Sequence, residues 1–154
     1  VQVATSMSDG SVLLWEGGRH RGRSLANASS PAVVDMKFIP QGDILIATRA
    51  DGVGVVWCTR TRRMLRELRD EPALVHDLQV FPDGERVLTL RSDMRVVIWN
   101  ITTGQVLLAI SLQGVCDQHH VARALSGGRA FVTGVSDIDG DPVFIWNASD
   151  GTPL

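Results

Sequence analysis

The residues of this sequence that could most readily do chemistry are three aspartates at alternate positions, Asp137, Asp139 and Asp141. Their carboxylates could supply three oxygen ligands to Ca²⁺. An EF-hand loop would place Gly at its sixth position and Glu at its twelfth, where this chain has Pro142 and Ala148. The other interpretation, which we favour, is a long turn between strands that is rich in Asp and Gly.

A second candidate is a group of arginines that could form a basic stripe: Arg60, Arg62, Arg63, Arg66 and Arg69. Such a stripe could bind phosphates or an acidic partner. No aromatic residue lies among these arginines, so this stretch has no aromatic side chain on which nucleic-acid bases could stack. Charges of this kind also protect an exposed edge strand from pairing with another sheet. We favour the edge-strand interpretation.

A third candidate is the pair His119 and His120, which lies close to Cys116 and Asp117. Its spacing matches no zinc motif with a second pair of ligands. No Gly-rich loop precedes a helix, so the sequence indicates no phosphate or dinucleotide site. No Ser, His and acid belong to one recognisable motif. The sequence therefore predicts no catalytic residue, no bound metal and no cofactor.

The composition narrows the class of protein. The chain has 154 residues and a net charge of −2, whereas a general nucleic-acid binder usually carries a basic surface. No apolar run approaches the length of a membrane span. Cys58 and Cys116 occupy different repeat positions, which favours free thiols in a reducing, cytoplasmic compartment. Glycosylation sequons begin at Asn27, Asn100 and Asn147, but the last two follow a tryptophan where a turn favours Asn.

One short stretch occurs four times, and the other elements are arranged around it. It consists of an acidic turn, several apolar residues and a tryptophan, and its copies end at Trp15, Trp57, Trp99 and Trp146. The turn acid of the first three copies is Asp9, Asp51 or Asp93. The tryptophans are 42, 42 and 47 residues apart. A period of about 40–45 residues is typical of one four-stranded propeller blade.

The same strands and turns return between the tryptophans. The pattern predicts strands at Gln2–Ser6, 12–15, 23–27, Val33–Phe38, 44–48, 52–57, Val75–Val80, 86–90, 96–99, 121–125, 130–135 and 143–146, with outer strands after 64 and 104. Pro40 and Pro82 share one repeat position, and Gly42 and Gly84 share another. Because proline and glycine determine turn geometry, the same turn is expected each time.

These motifs resemble the WD-repeat family of β-propellers. The family's Pro-Asp-Gly turn is present at 82–84 and in weaker form at 40–42. Its Trp-Asp dipeptide appears here as Trp-Glu, Trp-Cys, Trp-Asn and Trp-Asn. The Gly-His pair that precedes the family's inner strand is absent. In the family, that His joins a Ser or Thr, the turn Asp and the Trp in a hydrogen-bonded set. Here Thr5, Thr89 and Thr133 fit the hydroxyl position, and Ala47 stands there in the second copy.

The resemblance implies an all-β fold. We expect a propeller segment of four-stranded antiparallel blades, with about three complete blades and partial ones at each end. Residues 1–154 would form a single partial propeller domain, with repeat units 16–57, 58–99 and 100–146 and partial blades at 1–15 and 147–154. Because propellers close with about 4–8 blades, we expect the remaining blades of a longer parent chain, or a second copy, to complete the ring.

The function implied by the resemblance is a non-catalytic scaffold for protein–protein interaction within a larger multidomain protein. Its partners would be other proteins, and neither nucleic acid nor a membrane is expected. Arg49 and Arg91 occupy equivalent places beside the turns of one face, so they are the predicted partner contacts. The alternative is a propeller enzyme or a calcium-dependent extracellular propeller.

Overall fold

The structure is a computed structural model that describes residues 2–18, 20–26, 30–40, 42–113, 121–134 and 143–154. These residues form fourteen β-strands and no helix, so the all-β prediction is confirmed for them. It follows that this part of the chain contains no helix that could cross a membrane. The strands fall into two compact units, Val1–Asp70 and Glu71–Leu154. The prediction that both belong to one domain stays a prediction.

The first unit contains two antiparallel sheets. Its strands are β1 (Gln2–Ser6), β2 (Val12–Glu16), β3 (Arg23–Ala26), β4 (Val33–Phe38), β5 (Ile44–Arg49), β6 (Gly54–Cys58) and β7 (Arg63–Leu68). Sheet 1 has the order β1-β2-β3, and sheet 2 has the order β4-β5-β6-β7. Each strand therefore pairs with its neighbour in sequence, as short turns favour.

The second unit repeats this arrangement. Its strands are β8 (Val75–Val80), β9 (Arg86–Arg91), β10 (Arg95–Asn100), β11 (Val106–Ser111), β12 (Val121–Ala124), β13 (Ala130–Gly134) and β14 (Phe144–Asn147). Sheet 3 has the order β8-β9-β10-β11, and sheet 4 has the order β12-β13-β14. Two of the four sheets thus have four strands, and two have three. Observed strand ends differ from the expected ones by up to two residues.

The sheets are offset from the sequence units. In the first three sheets, the strand that follows the tryptophan pairs with the tryptophan's own strand. The complete sheets therefore span 33–68 and 75–111, whereas the sequence units 16–57 and 58–99 end at the tryptophan. The reason is local, since a short turn after the tryptophan returns the chain directly into an antiparallel pair.

In all four sheets, the turn between the first and second strand contains a glycine with positive φ, whose N–H donates to the carbonyl three residues earlier. In sheet 3 the Gly84 N–H donates to the Phe81 carbonyl at 3.0 Å, and Gly84 has a φ of 71°. The Asp83 carboxylate accepts from the Glu85 and Arg86 N–H groups at 2.9 and 3.1 Å. Because glycine adopts positive φ without steric cost, the Pro-Asp-Gly sequence specifies this turn.

In each unit a hydrophobic core joins the two sheets. The core of the first unit consists of Val12 from sheet 1 together with Leu45, Ala47, Val53, Val55 and Trp57 from sheet 2. The core of the second unit consists of Phe81, Leu88, Leu90, Val96, Ile98 and Leu112 from sheet 3, with Ala122, Phe131, Trp146 and Ala148 from sheet 4. Burial of these side chains between facing sheets is the main stabilising contribution in each unit.

In the last three repeats, the turn after the tryptophan places its fifth residue in the left-handed region. Gly104 and Gly151 occupy this position with φ values of 77° and 73°, and Arg62 occupies it in the second repeat with a φ of 59°. The N–H of each donates to the carbonyl four residues earlier, at 2.7 to 2.9 Å. A side chain with a Cβ is strained in this conformation by about 1–2 kcal/mol.

We predict that Arg62→Gly raises the free energy of unfolding by up to about 1 kcal/mol. Relief of left-handed strain exceeds the added freedom that glycine gives the unfolded chain. Urea denaturation checks this. The control is Arg63→Gly in strand β7, which should lower stability by about 0.5–1 kcal/mol. A loss of stability in Arg62→Gly that equals the loss in the control would contradict the explanation.

Candidate interaction surface

The tryptophans of three repeats donate their indole N–H to a threonine hydroxyl of the adjacent strand. The pairs are Trp15 with Thr5 at 2.9 Å, Trp99 with Thr89 at 3.1 Å and Trp146 with Thr133 at 2.9 Å. The threonines that the sequence places at the hydroxyl position are therefore confirmed as acceptors. In the second repeat Ala47 offers no hydroxyl, so Trp57 lacks this bond.

The turn acid of the second repeat is held by an arginine. Arg49 donates through Nε and Nη2 to the two Asp51 carboxylate oxygens at 3.1 and 2.6 Å, and through Nη1 to Glu67 at 3.3 Å. The hydrogen bonds from the Arg49 side chain hold the pKa of the Asp51 carboxyl below its ordinary range. A bidentate pair of this kind fixes geometry as well as charge.

The third repeat has the same arrangement, but its arginine is more deeply buried. Arg91 donates to the two Asp93 oxygens at 3.3 and 3.0 Å and to the Glu71 carbonyl at 2.6 Å. Arg91 is only 3% exposed. Its guanidinium therefore serves the turn inside the protein, and its role as a partner contact stays a prediction. Sequence reasoning missed these pairs, although an arginine precedes the turn aspartate by two residues in both repeats.

The first repeat lacks the arginine, because Met7 stands in its place. The Asp9 carboxylate instead accepts from the Ser11 hydroxyl at 2.7 Å and from the Ser11 N–H at 2.9 Å. These bonds, with the hydroxyl first, lower the pKa of Asp9. Asp9 and Asp51 each accept from the N–H two residues later, and Asp51 and Asp93 are each held by an arginine.

The remaining candidates from the sequence separate into two groups. Six of them lie outside the described residues: Asp137, Asp139, Asp141, Cys116, His119 and His120. Among the described residues, no group of three His, Cys, Asp or Glu side chains could hold a metal. The arginine stripe lies on and around edge strand β7, where Arg60 pairs with Asp43 and Arg69 pairs with Glu67. This placement agrees with the edge-strand interpretation.

In the third and fourth repeats, the residue after the tryptophan caps the following turn. The Asn100 side-chain oxygen accepts from the Thr102 and Thr103 N–H groups, both at 2.8 Å. Asn147 accepts from the Ser149 N–H and hydroxyl at 2.9 and 2.7 Å. The turn interpretation of these two sequons is thus supported by the side-chain geometry.

A groove opens between sheets 1 and 2 of the first unit, with a volume of about 190 Å³. Its lining residues are mainly apolar: Gly10, Val12, Leu25, Ala26, Ser30, Val33, Arg49, Val55, Trp57 and Met64. Trp57 belongs to the one repeat without an indole–hydroxyl bond. Met64 is 56% exposed. An apolar groove with an exposed apolar side chain in its lining is the site best suited to recognition in this unit.

Both complete sheets expose an apolar pair on the outer strand. Met64 and Leu65 on β7 lie seven and eight residues after their tryptophan, and Val106 and Leu107 on β11 lie at the same offsets. The sequence analysis did not predict these pairs, because it considered only the charged residues of β7. Two apolar residues at the same distance from the tryptophan in both repeats could have indicated them.

Comparison with models of known protein families finds no match, and no curated protein matches the chain.

We predict that Thr89→Val lowers the free energy of unfolding by about 1–3 kcal/mol, because a buried indole N–H loses its acceptor. The substitution keeps the side-chain shape and also removes a weaker bond from Thr89 to the Val97 carbonyl at 3.4 Å. The matched control is Thr5→Val, which removes the equivalent bond at an exposed site and should cost no more than about 0.5 kcal/mol. Equal losses in the two variants would show that burial does not determine the contribution of this bond.

We predict that Arg49→Gln raises the Asp51 pKa toward its ordinary range, as measured by carboxyl-carbon NMR titration. A lowered folded-state pKa stabilises the protein above about pH 4, and this contribution is lost as pH falls through the folded-state value. The destabilisation caused by Arg49→Gln should therefore shrink in acid. Asp9 is the internal control, since Ser11 and not an arginine lowers its pKa. An unchanged Asp51 titration would contradict the assignment.

Proposed function

We propose that this chain is part of a divergent WD-repeat propeller and acts as a non-catalytic scaffold that binds other proteins in the cytoplasm. The proposal is supported by four antiparallel sheets that share one set of turns. The same tryptophan–threonine bond in three repeats also supports it. A rigid repeated framework of this kind suits a protein whose loops and strand surfaces present contacts.

The single observation that carries the proposal is the groove of the first unit. An apolar cavity of about 150 Å³ accepts a benzene-sized group. The groove, at about 190 Å³, could therefore take one aliphatic or aromatic side chain of a partner. Such anchor side chains in desolvated pockets contribute most of the affinity in protein interfaces.

The charges beside the groove indicate the chemistry of the anchor. Arg49 lines it, and its guanidinium is already paired with Asp51 and Glu67. One positive charge therefore faces two negative charges, so an acidic anchor gains no free cation here. The aliphatic part of Arg49 remains available for packing. We expect an uncharged apolar side chain, with Arg49 as a packing contact.

The proposal predicts a photo-crosslink between the groove and a partner protein. With a benzophenone amino acid at Leu65, which follows the groove residue Met64 in the sequence, the intact protein in cells should give discrete protein adducts. The added substitution Met64→Glu should reduce adduct yield at least tenfold, because it places a charge in the groove. The adducts are identified by mass spectrometry.

The matched control is Val106→Glu, at the equivalent position of the second unit. It should leave the adducts of position 65 unchanged. Circular dichroism and thermal melting of each variant verify that the fold is retained. The scaffold role through this groove is refuted if no discrete adduct forms, or if both glutamate variants reduce the yield equally.

A further inference from the structure

The second repeat leaves its tryptophan N–H without the acceptor that the other repeats provide. The indoles of Trp15, Trp99 and Trp146 each donate to a threonine hydroxyl on the adjacent strand. In the second repeat that position holds Ala47, and no described residue accepts from the Trp57 indole. Because an unpaired donor inside a protein lowers stability, this exception requires a physical explanation.

The hydroxyl of this repeat stands one residue away from the required position. Thr48 follows Ala47 on strand β5, so strand alternation directs its side chain to the opposite face of sheet 2. Thr48 is fully buried, and its hydroxyl has no hydrogen-bond partner. The repeat therefore has an unpaired hydroxyl on one face and an unpaired indole N–H on the other.

The Trp57 N–H keeps contact with solvent, although the side chain as a whole is only 3% exposed. Among the described residues, Thr48 has the one fully buried side-chain polar atom that lacks a partner, so the unpaired Trp57 nitrogen is not fully enclosed. The groove of the first unit is lined by Trp57 and by Val55, and Val55 lies directly opposite Ala47. The N–H is therefore accessible from the groove, beside the place where a threonine hydroxyl would stand.

The groups around this N–H select a neutral acceptor. Arg49 lines the groove, but its guanidinium is already held by Asp51 and Glu67. These carboxylates disfavour an anion, and the other lining side chains are mainly apolar. A neutral carbonyl oxygen attached to an apolar body could accept from the indole while the body fills the groove.

We infer that the groove binds an apolar group that carries a neutral carbonyl, and that the Trp57 indole N–H donates a hydrogen bond to this carbonyl. In a partner protein, an apolar side chain together with the carbonyl of its own backbone has this chemistry. The inference deepens the proposed function and rests on the groove which that function uses. It also accounts for Ala47, because a threonine there would engage the N–H from within the protein.

Two substitutions of the same shape separate the donor from the apolar groove. Ala47→Thr provides an acceptor within the protein, whereas Ala47→Val adds the same shape without one. The third repeat shows that a threonine fits, because Thr89 lies opposite Val97 as Ala47 lies opposite Val55. In Ala47→Thr the indole proton of Trp57 should exchange with solvent more slowly than in Ala47→Val.

The probe is cyclohexanone, and its matched control is methylenecyclohexane, in which a CH₂ group replaces the carbonyl oxygen. Each is titrated into the full chain, and binding is followed by NMR at the tryptophan indoles. In the unchanged chain, cyclohexanone should shift the Trp57 indole proton and leave the three bonded indoles unchanged. Cyclohexanone should bind Ala47→Val at least about fivefold more tightly than Ala47→Thr, in which the donor is already paired. Methylenecyclohexane should bind the two variants equally.

The inference is overturned if cyclohexanone binds the two variants equally. The apolar groove of the proposed function then still stands, provided that methylenecyclohexane binds too. If neither probe binds the unchanged chain, the inference and the groove are both overturned. Equal exchange of the Trp57 proton in the two variants would also contradict the inference, because the N–H would then not be free to pair at this position.

Circular dichroism and thermal melting show whether each variant folds. If Ala47→Thr does not fold, the smaller substitution Ala47→Ser replaces it, with the unchanged chain as its comparison. The serine hydroxyl should likewise slow the exchange of the Trp57 proton and weaken the binding of cyclohexanone but not of methylenecyclohexane. Unaltered cyclohexanone binding in a folded Ala47→Ser chain with a slowed Trp57 proton would overturn the inference.

Discussion

Three of the four sheets depend on one shared interaction, the hydrogen bond from the tryptophan indole to a threonine hydroxyl on the adjacent strand. A buried tryptophan usually pairs its N–H with an acceptor, because an unpaired donor between two sheets lowers stability. Thr89 and Thr133 provide that acceptor within buried strands. The bond also joins residues that are diagonal across the strand pair, so it selects one register.

The turns determine how the strands meet. Glycine at left-handed positions, together with Asp and Asn side chains that accept from nearby N–H groups, closes each connection within a few residues. Short closures favour pairing between consecutive strands and yield antiparallel sheets. In the two middle repeats, Arg49 and Arg91 hold the turn aspartates. In both repeats the arginine supplies the turn aspartate with a charged partner from the end of the preceding strand.

The sequence predicts the strands well because their signals are local. Short apolar runs followed by turn residues predict strands at Val33–Phe38 and Val75–Val80, and both strands have these ends in the structure. The threonine acceptors also follow from their offsets to the tryptophans. The burial of Arg91 could not be predicted from the sequence, because its hydrogen-bond partner Glu71 lies twenty residues away. An arginine beside a turn is otherwise expected to be exposed. The groove beside Trp57 could not be predicted from the sequence either, because it is formed by the packing of two sheets.

The most direct test of the repeated bond is hydrogen exchange of the four tryptophan indole protons, followed by NMR. The indoles of Trp99 and Trp146 are buried and bonded, so their protons should exchange slowest. The proton of Trp15, whose bond is exposed, should exchange fastest among the three bonded indoles. If Trp99 or Trp146 exchanges as fast as Trp15, the buried indole–threonine bond is not what organises these sheets.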